Sequence, residues 1–193
     1  MSVVLLGGSP SPQSSCSRLL QHIGDKLALQ GQRTTRLEVR ELPAQALLRA
    51  DGDSAELARA LGLLRQADAV VVATPVYKAA YSGLLKLFLD LLPQDGLAGK
   101  LVLPLATAGS QSHMLALDYA LRPVLASMAA RFILPSIYAT SDQLTWDPDS
   151  GLVLAAPIAL RVAQGVEQLS TELRAQALRA PSQDTSLAAA IPA

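Results

Sequence analysis

Cysteine and histidine are scarce in this sequence. Its 193 residues include one cysteine, Cys16, and two histidines, His22 and His113. A single cysteine cannot form an internal disulfide, which favours a reducing, cytoplasmic setting. These scattered sulfur and nitrogen side chains are also too few for the four ligands of a structural zinc site. We therefore expect no metal centre.

Net charge and long apolar runs are lacking as well. The 16 basic residues balance 16 acidic ones, which excludes the strongly basic surface typical of nucleic-acid-binding proteins. No apolar run approaches the roughly 20 residues that a membrane-spanning helix needs. The start, MSVVLLGG, has neither the basic leader nor the apolar length of a secretory signal. We expect a cytoplasmic protein without a nucleic-acid or membrane partner.

The sequence does contain an alternation of apolar segments. Half of its residues are hydrophobic, which is enough for a sizeable core. Runs rich in β-branched residues predict strands at residues 3–6, 34–39, 69–73, 101–106 and 132–138. Helical spacing of apolar residues predicts helices at residues 14–29, from Ser54 onward, and at 82–91, 113–131 and 154–178.

Strands that alternate with helices form a parallel sheet with right-handed crossovers and helices on both faces. Five strands fit the flavodoxin-like order 2-1-3-4-5 better than the six-stranded dinucleotide-binding order. We therefore predict an α/β, flavodoxin-like three-layer sandwich with a five-stranded parallel sheet. We expect a single domain over residues 1–179 and a tail over residues 180–193 that is mobile or packs on a neighbouring subunit.

The loop after the first strand, GGSPSPQSSCSRLL, is rich in small polar residues. It leads into a helix N-terminus, where free N–H groups and the helix dipole favour an anion. It matches neither GxGxxG nor the P-loop, so a single terminal phosphate fits better than a pyrophosphate. A loop that merely caps the helix explains the same residues equally well. The hydroxyl donors belong to Ser9, Ser11, Ser14, Ser15 and Ser17.

Two further loops follow the third and fourth predicted strands, at the same edge of the sheet. In TPVYKAAYSG, Tyr77 and Tyr81 suit a flat ligand but also suit a surface turn. In ATAGSQSH, the backbone can meet the polar edge of a heterocycle, and His113 is expected to be a polar helix cap. We interpret Cys16, in the first loop, as a small spacer rather than a nucleophile.

Four segments of the sequence together resemble the NADPH-dependent FMN reductases, in particular the reductase components of two-component alkanesulfonate monooxygenase systems. The resemblance covers about residues 1–145, and its segments are GSPSPQSSCS, ATPVYKAAYSGLLK, GKLVLPLATAG and HMLALDYALRPVL. It implies that the first-loop serines hold the FMN phosphate. It places the isoalloxazine along Pro75, Val76, Tyr77 and Lys78, and the pyrimidine edge of the ring at Ala108, Gly109 and Ser110.

The resemblance also implies a reaction, in which NADPH reduces FMN and the reduced flavin leaves for a partner monooxygenase. No catalytic acid or base is expected, because the chemistry belongs to the two cofactors. A homodimer or a dimer of dimers is implied as well. Family members often carry an arginine at the position of Ser11, and Arg18 is the nearest replacement here. The alternatives are a flavin-retaining quinone or azo reductase and a flavodoxin-like electron carrier.

A proline interrupts the helix predicted over residues 113–131. Pro123 has no N–H for the carbonyl of Tyr119, four residues earlier, so the local sequence alone favours a kink. A one-turn π-bulge is the other solution, and such bulges often mark functional sites. The resemblance implies the bulge, because the alkanesulfonate-type reductases carry an inserted tyrosine at the position of Tyr119. There it is associated with flavin release and transfer.

Overall fold

A central sheet with helices on both sides makes up residues 1–179, the part of the chain that this computed structural model describes. The predicted tail, residues 180–193, lies outside the described residues. The α-helices are α1 (Ser15–Leu29), α2 (Ala44–Arg49), α3 (Ala55–Gln66), α4 (Gly83–Leu89), α5 (Arg122–Ser127) and α6 (Ala156–Arg179). The strands are β1 (Ser2–Gly7), β2 (Arg33–Glu38), β3 (Ala69–Tyr77), β4 (Ala80–Tyr81), β5 (Leu101–Ala108), β6 (Phe132–Ile133), β7 (Ile137–Thr140), β8 (Leu144–Asp147) and β9 (Gly151–Leu154).

The order of the parallel strands confirms the flavodoxin-like prediction. The sheet runs β2-β1-β3-β5, and both β6 and β7 pair with the far side of β5. The predicted count of five strands is wrong, because the fifth position is divided between two short strands. Pro135 lies in the gap between them and has no N–H for the ladder. In addition, β4 pairs antiparallel with the end of β3.

The core lies on both faces of β3. Its apolar run Ala69–Ala73 is fully buried, with alternate residues facing opposite sides of the sheet. One face packs against α1 and α6, and the other against α2, α3, α4 and α5. The three layers were therefore predicted correctly. Within residues 1–179, no helix is both long and apolar enough to cross a bilayer.

The helix predicted over residues 113–131 is interrupted, as Pro123 suggested. A π-helical turn spans Leu117–Leu121, in which the Arg122 N–H donates to the Leu117 carbonyl five residues back. This confirms the π-bulge and excludes the simple kink. The α-helical part that follows, α5, ends at Ser127, and Ala129 then adopts a positive φ of 62°.

The sequence analysis missed the β8–β9 hairpin, which lies against α1. Its strands are four residues each and mostly half-buried or exposed. Strands of four residues are too short to give a clear periodic signal. The hairpin forms one wall of a cleft described below.

Candidate functional site

The first and second loops are joined by hydrogen bonds at the carboxyl edge of the sheet. The Gly8 N–H donates to the Ala73 carbonyl over 2.8 Å, and the Ser82 hydroxyl donates to the Gly8 carbonyl over 2.6 Å. A Cβ at Gly8 would lie 2.7 Å from the Cβ of Leu85, so only glycine fits between the loop and α4. The two loops therefore hold each other in a fixed position.

In the first loop, four of the five predicted serines share one hydrogen-bond network. Ser14 caps α1 by accepting the Ser17 N–H over 3.1 Å, and its hydroxyl lies 2.8 Å from that of Ser9. The Ser17 hydroxyl donates to the Ser11 carbonyl over 2.9 Å. The capping interpretation is thus correct for Ser14. It is incomplete, because the N–H groups of Ser15 and Cys16 have no hydrogen-bond partner among the described residues.

The cation at this loop is Arg40, which the sequence analysis missed. Its guanidinium donates to the Ser9 carbonyl over 3.2 Å and to the Ser17 hydroxyl over 3.3 Å. Arg18, the expected replacement, instead lies over the Trp146 ring, 4.1 Å from its centroid. Arg40 could have been noticed in the alternating charges of RLEVRE at the end of β2. Since β2 pairs with β1, that end of β2 lies beside the first loop.

A buried carboxylate holds Arg40 in place. Glu38, with a side chain only 2% exposed, forms ion pairs with both Arg36 and Arg40. It occupies the space beside Gly7, its register partner, where a Cβ would lie 2.2 Å from a carboxylate oxygen. Glu38 thus fixes both guanidiniums from the buried side, and the exposed Glu41 carboxylate pairs with Arg40 as well, over 3.5 Å.

The second loop forms a strained hairpin turn between β3 and β4. Its two central residues, Lys78 and Ala79, have positive φ values of 51° and 61°, as a type I′ turn requires. Pro75 is buried and Val76 half-buried at the end of β3, whereas Tyr77 and Lys78 are exposed.

Two buried hydroxyls support this turn from below. The Ser82 N–H donates to the Thr74 hydroxyl over 2.9 Å, and the Ser82 hydroxyl accepts the Leu85 N–H over 3.1 Å. Thr74 and Ser82 are both nearly inaccessible to solvent. Neither residue was predicted to have a role, although both lie within the motif TPVYKAAYSG.

The third loop is fastened to β7 and to the residues that follow it. The Tyr138 hydroxyl donates to the Ser110 carbonyl, and the Ser141 hydroxyl donates to the Ala108 carbonyl over 3.2 Å. Ala108 is buried, while Gly109 and Ser110 are exposed at the edge of the sheet. His113 ends an exposed 3₁₀ turn, Gln111–His113, and so does not cap a helix as expected.

Cys16 lies inside the site but is shielded from solvent. Burial, the largest effect, raises the pKa of its thiol to about 12, and the hydrogen bond with Thr107 only partly opposes this. The thiol is therefore protonated at neutral pH, which agrees with a small spacer. Among residues 1–179, no group of three or more His, Cys, Asp or Glu side chains is arranged to hold a metal ion.

The π-helical turn borders the second and third loops, because it packs against β4 and β5. Tyr119 projects from it with 79% of its surface exposed, near Met114 and Leu115, which are 47% and 55% exposed. Large exposed apolar side chains therefore surround this end of the site.

Comparison with known proteins connects this geometry to one family. The family model described as NADPH-dependent FMN reductase matches residues 1–145. The FMN reductase (NADPH) of Pseudomonas putida is 47% identical over 146 residues, which are 76% of this chain and 74% of the relative. That of Escherichia coli is 46% identical over 144 residues, 75% of each chain. The solved structure of apo NADH:FMN oxidoreductase (EmoB) superposes with a TM-score of 0.81 and 38% identity, over 89% of both chains.

Proposed function

Since the chain belongs to the NADPH-dependent FMN reductase family and is an NAD(P)H-dependent FMN reductase, we propose that it supplies reduced FMN to a partner alkanesulfonate-type monooxygenase in sulfur acquisition. The observation that carries this proposal is the π-helical turn at Tyr119, beside the loops of the site. A flavin that must leave the enzyme needs a site that can be opened, and an irregular helix next to the site supports such a role.

The first loop is the proposed site of the FMN phosphate. Its donors suit a dianion, because they combine free N–H groups at a helix N-terminus with hydroxyls and the Arg40 guanidinium. Ser15 contributes a free N–H. The hydroxyls of Ser9, Ser14 and Ser17 bond to one another and to the Ser11 carbonyl in the structure, and we propose that they turn their protons to the phosphate when it binds.

We propose that the other two loops form the part of the site that contacts the flavin ring. Pro75, Val76, Tyr77 and Lys78 supply the strained turn along its flat side, and a strained backbone is typical of sites that hold a ligand in one orientation. Ala108, Gly109 and Ser110 present backbone groups to its polar edge. We assign the residues of these two loops to binding and orientation.

FMN supplies the electron-accepting ring and NADPH the hydride that reduces it. Neither Cys16 nor His113 is proposed as a general base, because the Cys16 thiol is protonated and buried and His113 is exposed at the end of the third loop. We assign the backbone N–H groups of the second and third loops to polarising the ring. No side chain is proposed to carry a proton.

The proposed reductase activity is tested by NADPH oxidation with and without added FMN. We expect turnover that requires added FMN, and FMN that binds more tightly than riboflavin, which lacks the phosphate. Equal affinities for the two flavins, measured by fluorescence quenching, would remove the first loop from the site. Turnover of quinones by ping-pong kinetics with retained flavin would indicate the alternative reductase.

The proposed partner is tested by a coupled reaction. An alkanesulfonate monooxygenase, with its sulfonate, oxygen, NADPH and FMN, is expected to release sulfite only when this protein is present. Chemically reduced FMN serves as the control, because it tests the monooxygenase alone. If the control reaction releases sulfite and the coupled reaction does not, the proposed partner is wrong.

The exposed apolar residues near the site support a homodimer or homotetramer. Tyr77 is 53% exposed and Tyr119 is 79% exposed at the same end of the molecule, and exposed apolar patches mark interaction surfaces. Light scattering at working concentration is expected to give the mass of two or four chains. A monomer mass would contradict the assembly without affecting the assignment of the reaction.

A further inference from the structure

A cleft of about 710 Å³ lies between α1 and the β8–β9 hairpin. Pro12, Gln13 and Ser17 belong both to the first loop and to the wall of this cleft. The cleft is therefore continuous with the proposed phosphate site. Its volume lies in the range of small-molecule sites, and none of the roles assigned above makes use of it.

The hairpin gives the cleft an aromatic wall. Trp146 is 49% exposed and pairs with Leu152 across the hairpin. The turn between the strands is held by the Asp147 carboxylate, which accepts from the Ser150 N–H over 2.7 Å and from the Asp149 N–H over 2.9 Å. The indole ring thus stands on a well-defined support.

Helix α1 gives the cleft a polar wall with two charges that form no ion pair within residues 1–179, the Arg18 guanidinium at the end near the first loop and the Asp25 carboxylate two turns further along the helix. Arg18, Gln21 and Asp25 lie on one face of the helix because they are three and four residues apart. Gln21 is already bonded to Asp25 over 2.7 Å and to Arg36 over 2.8 Å, and Arg36 is paired with Glu38. Arg18 forms no ion pair with any residue in the range 1–179.

The contact between Arg18 and Trp146 leaves the guanidinium able to bind a ligand. A guanidinium over an indole ring keeps its edge N–H donors free, and these bind phosphate oxygens well. Guanidinium and aromatic faces are also the surfaces on which nucleobases stack. The Gln13 side chain is exposed on the neighbouring loop, and an amide of this kind can bond the edge of adenine.

We infer that this cleft binds a phosphorylated adenosine group, with the purine against Trp146 and Arg18 and the phosphate on the Arg18 guanidinium. The inference rests on the proposed function, because the ligands of that reaction are the sources of such a group. NADPH carries adenosine with a 2′-phosphate. FAD carries adenosine monophosphate joined to the flavin phosphate, next to the cleft. The cleft chemistry is common to both.

Trp146 is the single tryptophan of the chain, so its fluorescence reports on the cleft directly. The full-length protein without flavin is titrated with 2′,5′-ADP and with 5′-AMP, and adenosine and inorganic phosphate serve as control ligands. We expect saturable quenching by at least one adenosine phosphate, and Arg18→Ala is expected to weaken it by about tenfold or more. Arg33→Ala removes an equal charge at the exposed start of β2, outside the cleft, and is expected to have no effect.

Kinetics and flavin binding then distinguish the two sources. If the group comes from NADPH, 2′,5′-ADP binds more tightly and Arg18→Ala raises KM for NADPH with kcat unchanged. If it comes from FAD, 5′-AMP binds more tightly and Arg18→Ala weakens FAD but not FMN. The fluorescence titration needs no turnover, so it tests ligand binding in the cleft even if the proposed reaction is wrong.

Either of two results would overturn the inference. One is the absence of saturable quenching by both adenosine phosphates, or equal quenching by inorganic phosphate alone. The other is quenching that is unchanged in Arg18→Ala and also in Gln13→Ala. Gln13 lies on an exposed loop, so this second variant keeps the test decisive if Arg18→Ala fails to fold.

Discussion

The carboxyl edge of the sheet is built differently at its two ends. Around the first loop, the backbone is regular and the site is made of polar groups arranged about a buried carboxylate: Glu38, its two arginines and the serine network. Around the π-helical turn, the backbone is irregular and the exposed groups are large and apolar, above all Tyr119.

This difference agrees with the two kinds of recognition that we propose for the two ends. A small charged ligand needs fixed donors, since a loosely held donor loses much of its binding energy in becoming ordered. A surface that meets another protein needs exposed apolar side chains instead. We therefore expect the loss of a charge to lower stability and FMN affinity at the first end. At the second end we expect a change of backbone register to alter flavin retention.

The largest expected effect is at Glu38, which the first end depends on. Glu38→Gln leaves two guanidiniums without their carboxylate, and we expect the free energy of unfolding to fall by about 3 kcal/mol, since breaking a buried ion pair leaves charge uncompensated. Urea denaturation measures this. Glu41→Gln is the matched control, because that side chain is 71% exposed and surface pairs contribute at most about 1 kcal/mol. Equal losses in the two variants would contradict the structural role of Glu38.

Only part of the first end could be predicted from the sequence. Gly7, Gly8 and the serines of the first loop could be recognised as a candidate site because an apolar run ended in a hydroxyl-rich turn. Glu38 and Arg40 could not, because their importance comes from the pairing of β2 with β1, which brings residues about 30 positions apart together. The burial of a charged side chain such as Glu38 can be inferred only when the pairing register of its strand is known.

At the second end the informative residues were prolines. Pro123 predicted an irregular helix, and the structure has one at Leu117–Leu121. The division of the fifth strand around Pro135 was not predicted, because the run FILPSIY is apolar on both sides of the proline. A proline was therefore informative inside a helical pattern, where it removes a needed N–H, but not inside a continuous apolar run. The β8–β9 hairpin was missed for another reason: its strands of four residues are too short to show a periodic pattern.

The second largest effect is expected at Arg40, in the affinity for FMN. Arg40→Ala removes a charge-assisted donor from the first loop, which costs about 1.5–3 kcal/mol, or roughly 10- to 100-fold in Kd. Flavin fluorescence quenching measures this, with circular dichroism to confirm folding. Arg49→Ala, an exposed position on α2, is the charge-matched control. An unchanged Kd in Arg40→Ala would show that Arg40 is only structural.

Ser11→Arg tests the same end from the opposite direction. It restores the arginine that related reductases often carry, and we expect it to tighten FMN by less than Arg40→Ala weakens it, because a cation is already present. A gain larger than that loss would mean that Arg40 does not serve the phosphate.

A smaller effect is expected from deleting Tyr119, which changes the register of the second end. Removal of one residue converts the π-helical turn to regular α-helix. We expect more FMN to remain bound after purification and NADPH oxidation with free FMN to fall by about tenfold, or roughly 1.4 kcal/mol. Tyr119→Ala keeps the chain length, so it separates the bulge from the side chain. A deletion variant that folds, stays free of flavin and turns over like the parent would disprove the role of the bulge.

The smallest effect is expected at Asp147, in the hairpin beside the first end. Hydrogen bonds from the Ser150 N–H and hydroxyl, then from the Asp149 N–H, hold the pKa of this carboxyl below its ordinary value of 3.8. A group whose pKa is lowered on folding stabilises the native state above the unfolded pKa, and the contribution is lost as pH falls through the folded pKa. The hairpin turn is therefore expected to be fully stabilised above about pH 5 and to weaken progressively below about pH 4.

Asp147→Asn measures this contribution through the pH dependence of the difference between variant and parent. Urea denaturation, followed by Trp146 fluorescence, is expected to show a small destabilisation by Asp147→Asn that is constant between about pH 5 and 8 and diminishes below about pH 4. Asp149→Asn is the matched control, because the structure uses only the backbone N–H of that residue in the turn. A difference that stays constant down to acid pH would show that the turn depends on the shape of the side chain and not on its charge. In that case the first end would owe its electrostatic character to Glu38 and its arginines alone.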